Sequence, residues 1–81
     1  MTPPFSAVSP FACILSGHHA QGATRETHPV ASAELCMYAC QNDAACNSFD
    51  YHSELCNFKN DPFSPAVNSD PTYKAGPKFC T

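Results

Sequence analysis

CMYACQNDAACNSFDYHSELCNFK, running from Cys36 to Lys59, changes its hydrophobic period halfway along. Ser32 stands just ahead as an N-cap, Pro29 precedes it, and Glu34 falls in the first turn, where a helix dipole favours an acid. Leu35, Cys36, Ala39 and Cys40 then recur at helical spacing and make one apolar stripe, which Asn42 and Asp43 end. Cys36 and Cys40 are four apart, so both thiols leave the same face of the helix. Beyond Asn47 the period becomes two. Residues 47–52 alternate, Ser53 and Glu54 make a turn, and residues 55–59 alternate again, which predicts an antiparallel hairpin. One face of that hairpin carries Phe49, Tyr51, Cys56 and Phe58, directed at the helix; the other carries Asp50, His52, Asn57 and Lys59.

Six cysteines, Cys13, Cys36, Cys40, Cys46, Cys56 and Cys80, lie in a chain of 81 residues. A chain this short buries too little apolar surface to rest comfortably on its core. Cross-links compensate at roughly 2–4 kcal/mol each, and they persist outside reducing compartments. The expectation is a secreted, disulfide-stapled module with no thiol left free.

Outward from the helix and hairpin the signals weaken. Residues 11–15 are a compact apolar run read as a short strand, ended by Ser16 and Gly17. The polar stretch from His18 to Pro29 leaves room for one strand near residues 23–25. Residues 60–71 are rich in Asn, Asp, Ser and Pro and are read as a long loop. Residues 73–80 are expected to form a last strand, interrupted at Gly76 and Pro77. Residues 1–10, with Pro3, Pro4 and Pro10, read as a stiff linker, and residues 11–81 as a single domain. Met1, Thr2, Pro3 and Pro4 lack the basic start and apolar stretch of a secretory leader. Since the cysteines still require export, we expect one module of a larger exported protein.

Only 14% of the residues are charged, and the formal net charge is −3 with Arg25, Lys59, Lys74 and Lys78 as the permanent cations. Four scattered cations make no stripe for phosphates, so no nucleic-acid partner is expected. The same scarcity argues against an anionic membrane surface, and no apolar run is long enough for membrane insertion.

The pattern Cys36-x3-Cys40-x5-Cys46-x-Ser-Phe-Asp-Tyr, followed by Cys56-x-Phe, resembles the core of the apple domain, also called the PAN module. The likeness runs from Cys13 to Cys80. It implies an α+β fold, one helix packed on an antiparallel sheet of about five strands, with three disulfides. Six cysteines admit fifteen pairings; the resemblance implies Cys36–Cys56, Cys40–Cys46 and Cys13–Cys80. Apple domains occur in blood-clotting proteins and in the adhesins that apicomplexan parasites discharge from micronemes. The small polar loops and the Ser-Phe-Asp-Tyr strand look more like the microneme kind, and are similar to the galactose-binding apple domain of a Toxoplasma microneme adhesin. The resemblance therefore implies a non-enzymatic lectin module for terminal galactose on host-cell glycans. Since some apple domains bind proteins instead, docking of another adhesin subunit or a protease-like partner is the alternative.

The residues themselves permit both. Alternation turns Phe49, Tyr51 and Phe58 inward, so core filling is their first reading. The polar face of the hairpin offers donors and acceptors on a rigid element, as a sugar requires. Lysine is a pure donor and neutral histidine offers one donor and one acceptor. Lys59 and His52 are therefore the first candidates, with Tyr51 supplying an aromatic edge if it reaches the rim. Phe58, Glu54 and Asp61 are secondary candidates, and Asn60 lies close by. His18, His19 and His28 read as surface residues. No catalytic residue, cofactor or metal is expected. Asp50 and Glu54 lack the cleft a glycosidase pair needs, and no Cys-x2-Cys or His-x3-His knuckle is present.

Overall fold

The computed structural model describes residues 11–80; the linker expected at residues 1–10 lies outside them. Eight elements follow one another among the described residues: β1 (Leu15–Ser16), β2 (His18–Ala20), β3 (Thr24–Pro29), α1 (Ala33–Gln41), β4 (Ser48–His52), β5 (Leu55–Lys59), β6 (Pro65–Val67) and β7 (Lys74–Pro77). The expected α+β class is what forms. A five-stranded antiparallel sheet, in the order β1-β7-β4-β5-β3, carries α1 on one face.

The helix starts where its cap predicts. Ser32 is extended and its Oγ accepts from the Leu35 N–H at 3.2 Å, while Asn42 closes the other end. The buried stripe is Ala33, Cys36, Met37 and Cys40, at i, i+3, i+4 and i+7. This corrects the expected stripe by part of a turn: Leu35 is about half exposed and Met37 is fully buried. The hairpin has the predicted register, with Phe49 opposite Phe58, Asp50 opposite Asn57 and Tyr51 opposite Cys56. Its turn holds Ser53 and Glu54 at φ 53° and 62°. Two consecutive left-handed residues give a turn whose twist matches that of the strands. Cys36, Met37, Cys40, Cys46, Phe49, Tyr51, Cys56 and Phe58 form the core between helix and sheet. The Cys36–Cys56 bridge pins α1 to β5, Cys40–Cys46 closes the turn after α1, and Cys13–Cys80 ties the ends of the module.

The weaker expectations need correction. Residues 11–13 form a turn, not a strand: the Ile14 N–H donates back to the Phe11 carbonyl, and pairing with β7 begins only at Leu15. The strand sought at residues 23–25 instead runs from Thr24 to Pro29 along β5, with a bulge between Thr24 and Glu26. The loop at residues 60–71 contains β6, which pairs with β2 in a second, two-stranded sheet. Gly76 and Pro77 do not interrupt the last strand; they belong to β7. Gly76 lies opposite Phe49, and a Cβ there would stand 3.0 Å from the ring, so the glycine makes room for the largest fully buried side chain.

The β2–β6 ribbon shapes the far side of the sheet. It lies against β4 and β7 on the face away from α1, and the Ala20 N–H donates to Asp50 across the gap. Both faces of β4 are therefore covered, and Ser48 to Tyr51 are all buried.

Candidate functional site

Alternation on β4 sends Asp50 to the face opposite the core, where the ribbon covers it. The residue is only 4% exposed. Oδ2 accepts from the Ala20 N–H at 3.1 Å and Oδ1 from Asn57 Nδ2 at 2.8 Å. Lys59, two residues along β5 from Asn57, brings its ammonium to 3.7 Å from Oδ2. That ammonium also donates to the Gly22 carbonyl at 3.0 Å and to Thr24 Oγ1 at 2.8 Å. Lys59 thus spends two of its three donors on protein oxygens, and its charge faces Asp50 as an ion pair. It pins the segment between β2 and β3 onto the sheet, and its charge offsets that of Asp50.

Above this pair lies a cleft of about 210 Å³, bounded by Asp50, Asn57, Lys59 and Thr24 from the sheet side and by His19, Asn68 and Tyr73 from the ribbon and the segment before β7. Tyr73 is held from behind. His52 stacks on its ring, with centroids 4.2 Å apart and planes 11° from parallel. His52 Nε2 lies 2.9 Å from Asp70 Oδ2, and Asp70 Oδ1 accepts from the N–H and hydroxyl of Thr72. These bonds, those to Thr72 foremost, hold the Asp70 carboxyl below the usual carboxylate range. Among the described residues the Tyr73 hydroxyl and His19 Nε2 have no hydrogen-bond partner, so the walls keep polar capacity to offer.

The structure brings together only part of the predicted set. Lys59 is in the cleft, with Asp50 and Asn57 from the same polar face. His52 sits behind Tyr73. Tyr51 does not reach the rim: it is on the core face, and its hydroxyl donates to the Val30 carbonyl at 3.0 Å. Burial pushes its phenol pKa up. Phe58 is also in the core, 3% exposed, against the His28 ring. Glu54 is at the far end of the hairpin, beside a wider hollow of about 420 Å³ formed by Pro29, Val30, Ala31, Ser53 and Leu55. Apolar side chains and turn backbone dominate that hollow, so it has few polar groups to orient a ligand. Asp61 is exposed just past β5; its backbone carbonyl accepts from Ser48 Oγ and its carboxylate closes on Gly22. A Cβ at Gly22 would collide with Asp61 Oδ2, and φ there is 108°, so only glycine suits the position.

His19, Thr24, Asn68 and Tyr73 were not anticipated. His19 and Asn68 meet because two three-residue strands far apart in sequence pair, and neither strand has a periodicity that marks it. The one available signal was Tyr73, an aromatic standing in an otherwise polar stretch. Among the described residues no group of three or more His, Cys, Asp or Glu could hold a metal ion, and no helix is long and apolar enough to cross a membrane.

A family model described as the PAN domain matches residues 13–80. The chain belongs to the PAN domain family. Among solved structures, this PAN module is similar to a PAN module from Eimeria tenella known from a solution structure. The two align with a TM-score of 0.64 and 24% sequence identity, over 85% of this chain and 81% of the other. At that identity the likeness speaks for the fold. No curated protein sequence matches the chain. PAN modules are binding domains for proteins or carbohydrates, not enzymes, and three disulfides in such a module mark an extracellular or secreted protein.

Proposed function

We propose that the module is a lectin that takes a terminal galactose-type residue in the cleft over Asp50 and Lys59. In this reading it is part of an adhesin, released through a microneme-like organelle, that attaches to host-cell glycans. The observation that carries it is the convergence of fixed polar groups around a space suited to one small polar molecule, with Tyr73 braced in the wall. A hexose needs hydroxyl partners of both kinds and an aromatic surface for its C–H face, and these seven residues supply each type.

Magnitudes are consistent with an adhesin. At ~0.3 kcal/mol per heavy atom a hexose gains about 4 kcal/mol, a dissociation constant near millimolar. Several linked modules would raise that through effective concentration. The test is a glycan array with the domain displayed at high valency, paired with chemical-shift mapping in galactose. Galactose-terminated glycans should bind, and shifts should cluster at His19, Thr24, Asn57, Asn68 and Tyr73. Background binding on the array, or shifts centred elsewhere, would sink the reading.

A second reading, docking to another adhesin subunit, is favoured by a different surface. Leu35 and Tyr38 stand about half exposed on the outer side of α1. Binding of a protein partner that is lost on Leu35→Ser and Tyr38→Ser, with sugar affinity unchanged, would support it.

A further inference from the structure

We propose that His19 is a fixed hydrogen-bond donor of the cleft, held in its Nε2–H tautomer by Asn68, and that it selects a ligand whose hydroxyl accepts at that wall. The nature of the ligand rests on the sugar-binding reading; the tautomer does not.

The side-chain amide of Asn68 has a fixed polarity. The Asp70 backbone N–H donates to it at 2.9 Å, so the atom it meets must be the amide oxygen. The other end of the Asn68 amide, Nδ2, is then a donor, and it stands 3.2 Å from His19 Nδ1. Nδ1 must accept, so the proton of neutral His19 sits on Nε2. Among the described residues nothing accepts from Nε2, while His19 lines the cleft. The floor across from it has the opposite polarity: Asp50 is an acceptor, and its oxygens retain lone pairs beyond those used by Ala20 and Asn57.

The two walls therefore ask different things of a sugar. One hydroxyl must donate to the carboxylate, and another must present an oxygen to His19. The orientation of a neutral pyranose is fixed by that pair, so His19 acts as a specificity-determining residue.

The tautomer is read directly by ¹⁵N NMR of the imidazole, at a pH of about 8, above the range in which histidines titrate. A proton on Nε2 and a bare Nδ1 are expected. Asn68→Asp keeps the oxygen that Asp70 needs but replaces the donor by an acceptor, so the proton should move to Nδ1. A wild-type proton on Nδ1, or an even mixture of tautomers, overturns the proposal.

The sugar arm uses galactose and its monodeoxy and monofluoro analogues. His19→Phe should weaken galactose by about threefold to tenfold, the effect of one hydrogen bond, and His19→Gln, which keeps a donor, should recover part of it. At one ring position fluorine, an acceptor only, should bind wild type better than the deoxy sugar; Asn68→Asp should erase that difference. Galactose binding indifferent to His19→Phe overturns the selection alone. Absence of binding by any neutral hexose overturns the sugar reading, and the selection with it.

Discussion

The sequence marks Lys59 as a donor on the hairpin's polar face, and the structure buries it there beside Asp50. The period of two on β5 correctly groups it with Asp50 and Asn57, and its type marks it as a donor. Its burial was not legible, because the cover comes from Ala20, Gly22 and Thr24, in a segment with no pattern of its own. Burial changes the expected result of replacing it. Lys59→Met leaves the Asp50 carboxylate buried without its cation, a loss of about 3–5 kcal/mol, a large share of the ~5–15 kcal/mol that holds a small domain. Sugar binding should disappear as well. Lys59→Met with Asp50→Asn removes both charges and should regain much of the stability, though not the binding. Urea titration with the disulfides intact, alongside galactose titration, separates the two effects; a single mutant as stable as wild type would remove Lys59 from its role as a strut.

At the scale of elements, α1 and the β4–β5 hairpin were legible because each carries a cap, a turn and a sustained period. The helix stripe was misplaced only in detail, since Met37 and Ala33, not Leu35, complete it. β2 and β6 were not legible: each is three residues long, and one contains two histidines and the other a proline. Their pairing brings His19 and Asn68 to the cleft. The hairpin turn carries its own test. Glu54 holds φ 62° without being glycine, so Glu54→Gly should stabilise the module by about 0.5–1 kcal/mol. Because Glu54 lies away from the cleft, galactose affinity should not change. Thermal melting and a sugar titration check both parts, and a loss of affinity would return Glu54 to the site.

For the molecule as a whole, charge sets two expectations. Arg25 holds the Asp43 carboxyl below the usual carboxylate range, chiefly through their hydrogen bond, and Thr72 does the same for Asp70. Depressed carboxyl pKa values mean that the folded state binds protons less readily than the unfolded chain. The stability these groups contribute is present above about pH 4, and it is lost as the pH falls through their folded values. The melting temperature should therefore drop steadily below about pH 4, and less steeply in Asp43→Asn; parallel curves for the two proteins would contradict this origin. The second expectation concerns ligands. The chain carries a net charge of −3 and the cleft's one lysine is already engaged. A sialylated galactose would bring a carboxylate towards Asp50 with no free ammonium to meet it. Its affinity should be weaker than that of the neutral sugar by about tenfold or more, measurable by competition.

The Cys13–Cys80 bridge has a mechanical meaning as well. It holds two Cα atoms 5.4 Å apart that are 67 positions apart in sequence. Tension passing along the chain from one side of the module to the other crosses that bridge directly. The strands, the helix and the cleft then hang beside the line of force as slack. A pull that would peel β1 or β7 from an unbridged sheet instead meets a covalent bond. Within a string of such modules under flow, each would keep its binding surface intact while the string itself is taut.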